Sequence, residues 1–171
     1  MIAAISTDGF IAGPNNDTSW ISKEDTTLLR QTIKKHDVLV MGSRTFDQYK
    51  FVFKETTARQ RYVLTSRPTD YAKHNNLAHF VDLSLVNLLE DLSLSGYMSV
   101  LVLGGSRLYE DCLTHGIANE VLISIEPTIL DRGTTFLSVA RSVSDYPQYK
   151  LVSTSNLNSE GTILRRYLLK N

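Results

Sequence analysis

The chain is short of several things. Its 171 residues hold one cysteine, Cys112, and four prolines. A lone thiol forms no disulfide within the chain and supports no cysteine-based zinc site. That usage fits a reducing compartment. Neither sign of charge is in excess, with 18 Lys+Arg against 18 Asp+Glu. A general nucleic-acid binder or a polybasic membrane-surface protein needs a basic surplus, so both are excluded as expectations. No apolar run approaches the ~20 residues of a membrane span. The opening segment from Met1 to Gly13 is apolar, but it has no basic stretch and Asp8 interrupts it, so it does not read as a secretion signal. His36, His74, His79 and His115 are scattered without metal-ligand spacing, so no metal is expected. There is no repeat and no Pro/Gly-rich linker. What remains is a cytoplasmic, soluble, single domain over 1–171, with an ordinary 42% hydrophobic and 21% charged residues.

What is present is alternation. Short apolar runs at Met1–Ser6, Asp37–Met41, Arg61–Thr65, Ala78–Val81, Met98–Leu103 and Val121–Ile125 read as strands. Several are continuous rather than alternating, which suits strands covered on both faces. Segments with helical spacing lie between them: Lys23–Lys35, Ser84–Ser95, Gly105–His115, and a short one after Met41. At the end, Gln148–Thr154 and Thr162–Leu169 flank a turn-rich segment and read as an antiparallel hairpin. The expected fold class is α/β: a mixed, mostly parallel central sheet flanked by helices, with a C-terminal antiparallel hairpin. Segments 54–58 and 68–76 read as surface loops.

In open α/β sheets, ligands collect at the carboxyl ends of the parallel strands. Three such ends are chemically unusual. Leu103-Gly104-Gly105-Ser106-Arg107-Leu108-Tyr109 places two glycines between an apolar strand and a helix start, which suits a phosphate. Met41-Gly42-Ser43-Arg44-Thr45 repeats that logic, and Thr65-Ser66-Arg67 ends a strand in two hydroxyls and a cation. Each alone is also an ordinary turn or cap; three together make a polar, cationic rim. Asp25, three residues after Ser22, has the spacing of a capping box, and the helix dipole alone would favour an acid there. Cys112 sits in a helical stretch with no adjacent histidine and reads as a small buried residue rather than a nucleophile.

Taken together, these residues resemble the dihydrofolate reductase family, nearly end to end. Trp20 and Asp25 have the spacing of the family's Trp and pterin-pocket acid. Met41-Gly42-Ser43-Arg44-Thr45-Phe46 is similar to its Met-Gly-Arg-x-Thr-Trp helix start, and Leu103–Tyr109 to its Ile-Gly-Gly-Gly-x-x-Tyr signature. Gly133-Thr134-Thr135-Phe136 resembles its Asp-Thr-x-Phe segment. The resemblance implies NADPH as cofactor and reduction of the small-molecule substrate 7,8-dihydrofolate by a monomer or homodimer. Asp25 and Trp20 would be catalytic, with Ile2, Ala3, Leu29, Tyr49 and Arg59 against the substrate. Ala4, Ile11 and Thr134 would meet the cofactor, together with Gly42, Ser43, Arg44 and Thr45. The other two junctions would add Thr65, Ser66 and Arg67, and Gly104, Gly105, Ser106, Arg107, Leu108 and Tyr109. It also implies a cis peptide between Gly104 and Gly105.

The sequence departs from that pattern in places. Glu55-Thr56-Thr57-Ala58 replaces the family's Pro-Leu-Pro-Gly, and Arg44 stands one place late. Ile123 takes the place of the Thr that bonds the acid, with Ser124 one residue out of phase. The segments Ser6–Gly13 and Trp20-Ile21-Ser22 also look like the pyrimidine reductases of riboflavin synthesis, which share the fold. A stand-alone reductase of that type is the alternative reading; a third is an NADP-binding module without turnover.

Overall fold

The computed structural model describes residues 1–51, 60–138 and 146–170. The best-defined strand in the sequence is also the most enclosed. In β3 (Val38–Gly42), Val38, Leu39, Val40 and Met41 are all fully buried. A run that is apolar on both faces needs cover on both faces, and β3 has it in the middle of a parallel sheet. The order there is β5 (His79–Val81), β4 (Gln60–Leu64), β3 and β6 (Val100–Val102). Helix α3 (Leu85–Leu94) buries Leu85, Leu88 and Leu92, the apolar stripe of a 3.6-residue period, and Ser84 caps it by accepting from the Asn87 amide.

A second four-stranded sheet carries the chain ends. Strand β1 (Ile2–Ser6) runs parallel to β7 (Glu120–Glu126), which pairs antiparallel with β10 (Ile163–Leu169), and β10 with β9 (Tyr149–Asn156). The parallel core and terminal hairpin are therefore as expected, distributed over two hydrogen-bonded ladders. Tyr109, on α4 (Ser106–Thr114), stitches them: its buried hydroxyl lies 2.8 Å from Ile2 O on β1 and 2.9 Å from Leu103 O after β6.

Most boundaries fall within two residues of the expected ones. Two short strands went unread, β2 (Phe10–Ala12) and β8 (Thr134–Thr135), which pair with each other. Part of the expected loop 68–76 is a 3-10 turn over Pro68–His74. The expected loop at 54–58 lies outside the described residues. Helices α1 (Lys23–Ile33) and α2 (Ser43–Tyr49) complete the layers. Cys112 is buried, and burial pushes its thiol up to about 11, the behaviour of a packing residue. Among the described residues, no helix is long and apolar enough to cross a membrane.

Candidate active site

One cleft of about 1390 Å³ gathers the carboxyl ends of the parallel strands, the β1–β2 region and one face of α1. Its deep wall comes from α1. Ser22 caps that helix, its hydroxyl accepting from the Asp25 amide at 3.2 Å. With the helix start fixed there, Asp25, Leu29 and Ile33 recur at i, i+4 and i+8 and face the cleft together. Ile2, Ala3 and Ala4 of β1, Ile11 of β2 and Tyr49 of α2 line the same cleft. The loop after β2 is tied to α2 by Gln48, whose side-chain amide donates to Asn16 O at 2.9 Å and to Thr18 Oγ1 at 3.0 Å.

Asp25 is 5% exposed, and its Oδ1 has no hydrogen-bond partner among the described residues. A buried acceptor without a partner is rare in folded proteins, and in a cleft it points to a ligand. Burial raises the Asp25 carboxyl above the usual aspartate range; the nearby Ser124 hydroxyl works against the rise, and the charge of Glu126 adds to it.

That neighbour corrects the sequence reading. The sequence pattern puts Ile123 at the hydroxyl position beside the acid and Ser124 out of phase. In the structure Ser124, fully buried and opposite Ala4, is the hydroxyl beside Asp25. Alternation then sends Ile123 to the other face of the sheet.

The rim of the cleft is polar. Gly42 N–H donates to Gly104 O at 2.8 Å, and Leu103 N–H to Val40 O at 2.9 Å, so the ends of β3 and β6 lie side by side. Ser43, Arg44 and Thr45 therefore stand beside Gly105, Ser106, Arg107 and Leu108 on the wall, with Tyr109 behind them. Helix α4 starts after Gly105 with no side-chain cap, so its first-turn N–H groups are left for a ligand. Ser106 Oγ donates to Thr135 O, which anchors that start to β8. Thr65, Ser66 and Arg67 line the cleft after β4, Asp82 after β5, and Thr134 from β8. Arg44 and Arg107 are exposed, and Arg67 Nε lies 3.6 Å from Asp70.

The Gly104–Gly105 peptide is cis. The two glycines differ in tolerance. Gly104 has φ +93°, and a Cβ there would sit 2.5 Å from the Tyr109 ring; a Cβ on Gly105 would meet Thr45 Oγ1 only at 3.7 Å.

Two residues expected in the site stand apart from this wall. Trp20 is half-buried and not on the cleft; its indole donates to Asp17 O at 3.0 Å. Gly104 lies behind the wall rather than on it. Arg59 lies outside the described residues. The sequence reading missed Ser124 and Glu126 as neighbours of Asp25; an acid closing the apolar run Glu120–Glu126 was the only signal for the second.

Helices on parallel strands, a buried α1 acid and a helix start led by Gly105 in one cleft define the dihydrofolate-reductase-like fold. Dihydrofolate reductase from Enterococcus faecalis, complexed with NADP(H), superposes with a TM-score of 0.71 at 19% identity, covering 99% of this chain and 95% of that one. Within that fold, the chain belongs to the RibD C-terminal domain family, whose model matches residues 1–162. A Thermotoga maritima diaminohydroxyphosphoribosylaminopyrimidine deaminase/5-amino-6-(5-phosphoribosylamino)uracil reductase superposes with a TM-score of 0.80 at 19% identity, over 99% of this chain and 55% of that one. The Bacillus subtilis (strain 168) protein YyaP is 22% identical over 170 residues, 91% of this chain and 87% of its own length.

Proposed function

We propose that this protein is an NADPH-dependent reductase of the pyrimidine-reductase type, acting on a ribosylamino-pyrimidine rather than on dihydrofolate. One observation carries the reading: a single cleft joins a buried carboxylate with a free oxygen to a rim of hydroxyls, cations and uncapped helix N–H groups. Membership of the RibD C-terminal domain family supports the pyrimidine over the pterin.

The rim fits a dinucleotide phosphate by its donor set. The α4 first-turn N–H groups and Ser106 would hold the pyrophosphate, and Arg44 with Thr65, Ser66 and Arg67 the 2′-phosphate. NADPH supplies hydride when bound. Hydride addition to an electrophilic carbon must be matched by one proton. Asp25 is a buried group on the wall that can hold that proton, because burial favours its neutral form. Oδ1 would meet the polar edge of the ring, Leu29 and Ile2 would pack its faces and limit water, and the Arg30 guanidinium on the same helix is available to a substrate phosphate.

The test follows NADPH oxidation with the pyrimidine ribotide, with dihydrofolate and with neither. Turnover of the ribotide is expected. Turnover of dihydrofolate alone would overturn the substrate, and NADPH binding without turnover of either would overturn the reductase.

A further inference from the structure

Behind Asp25 lies a second buried carboxylate that the reaction above does not use. Glu126, at the end of β7, is 2% exposed. Its Oε1 accepts from the Ser22 amide at 3.0 Å and the Ser22 hydroxyl at 2.7 Å, and its Oε2 accepts from the Thr162 hydroxyl at 2.6 Å.

The direction of these bonds is fixed by what else the hydroxyls do. Ser22 Oγ already accepts from the Asp25 amide, and Thr162 Oγ1 from the Asn158 side-chain amide at 2.9 Å. Each hydroxyl therefore has its proton left for Glu126. All three hydrogen bonds to this carboxylate come from donors. Its backbone is fixed as well, with Glu126 O accepting from Thr7 Oγ1 at 2.9 Å and from the Thr128 amide at 2.8 Å.

Among the described residues no ion pair is recorded for Glu126. From α1, the groups nearby are Asp25 itself and, on the exposed side, Lys23 and Glu24, the latter 3.5 Å from Asn158 Nδ2. From the β9–β10 turn come Asn158 and Thr162, with Glu160 exposed. From β1 comes Ser6, whose hydroxyl donates to the exposed Asp8 at 2.6 Å. Arg165 on β10 pairs with Ile123, so it shares the opposite face of the sheet from Ser124 and Glu126. Tyr109 also interacts with Asp25, and its phenol is held neutral by burial.

We propose that Glu126 is a positioning residue for Asp25: through Ser22 it fixes the helix start that carries Asp25, and through its own negative charge it keeps the Asp25 proton in place. Ser22 is the joint, since one hydroxyl touches both the Asp25 backbone and the Glu126 carboxylate. This rests on the role given to Asp25 above, but its test does not need turnover.

The experiment is a ¹³C-carboxyl NMR titration of the ligand-free protein, wild type and Glu126→Gln. Glutamine keeps the side chain's size and an acceptor oxygen but removes the charge. In the wild type the Asp25 midpoint should lie above the ordinary aspartate value. In Glu126→Gln the Asp25 midpoint should fall by about half a pH unit or more, as expected on losing a like charge in a buried site. An active enzyme would show the same fall in the pH at which kcat is lost on the alkaline side. A purely structural Glu126 would lower thermal stability and leave the Asp25 midpoint where it was, which would overturn the proposal. If Glu126→Gln does not fold, the wild-type titration decides alone: a Glu126 that stays protonated while Asp25 ionises would overturn it. Absence of reductase activity with the expected titrations would count against the proposed function and leave this inference standing.

Discussion

The two halves of the cleft are built in opposite ways. In the deep half Asp25, Ser124 and Glu126 are all at most 5% exposed, and the Ser22 and Thr162 hydroxyls bond the Glu126 carboxylate. In the rim Arg44 and Arg107 reach into solvent, and the side chains of Arg67 and Asp70 are 79% and 56% exposed. Exposed pairs are screened and contribute ~0–1 kcal/mol, whereas a buried charge changes the protonation of its neighbours. The deep half is therefore where the chemistry is set, and the rim is where affinity is gathered.

The largest expected effect separates these roles. Asp25→Asn should cut turnover by about 10²–10⁴, the range of a lost general acid, while NADPH affinity in fluorescence titration changes only a few-fold. Equal losses in both would merge the halves into one binding surface. Next comes the Gly-Gly junction between them. Gly104→Ala should cost about 2–4 kcal/mol in urea unfolding, because its positive φ and the Tyr109 ring both oppose a Cβ. Gly105→Ala should fold nearly normally and lose cofactor affinity instead. The smallest effect belongs to the rim: Arg44→Ala with Arg67→Ala should weaken NADPH about tenfold, or ~1.4 kcal/mol, and NADH little. The difference should shrink as salt is raised. Equal weakening of NADH would move the 2′-phosphate contact elsewhere.

Legibility in the sequence followed the range of the interaction. The buried run of β3 announces itself because four consecutive apolar residues need two covered faces. The Asp25 and Gly104-Gly105 neighbourhoods were legible because each is local: a cap three residues before an acid, a glycine pair before a helix. Phase was not legible. A strand alternates every residue, so a one-residue slip in alignment exchanged Ile123 for Ser124 and sent the hydroxyl to the wrong face. Long-range closures were equally hidden. Thr162 meets Glu126 across 36 residues, and Tyr109 meets Ile2 across 107. Nothing near Tyr109 in the chain says that its hydroxyl joins two sheets. The β2–β8 pair is too short to leave a period at all.

The most direct test sets stability against pH for wild type and Asp25→Asn. A carboxyl whose folded value is raised stabilises the fold while protonated, and that contribution is lost as pH rises through the folded value. Wild type should therefore lose stability between the ordinary aspartate value of ~4 and neutral pH by an amount that the asparagine variant does not lose. At neutral pH Asp25→Asn should be the more stable protein, by an amount in the ~0.5–2 kcal/mol range of single stabilising changes, although its turnover should be lower. If Asp25 were only an acid favoured by the helix dipole, its replacement would lower stability at neutral pH, and that result would contradict the account.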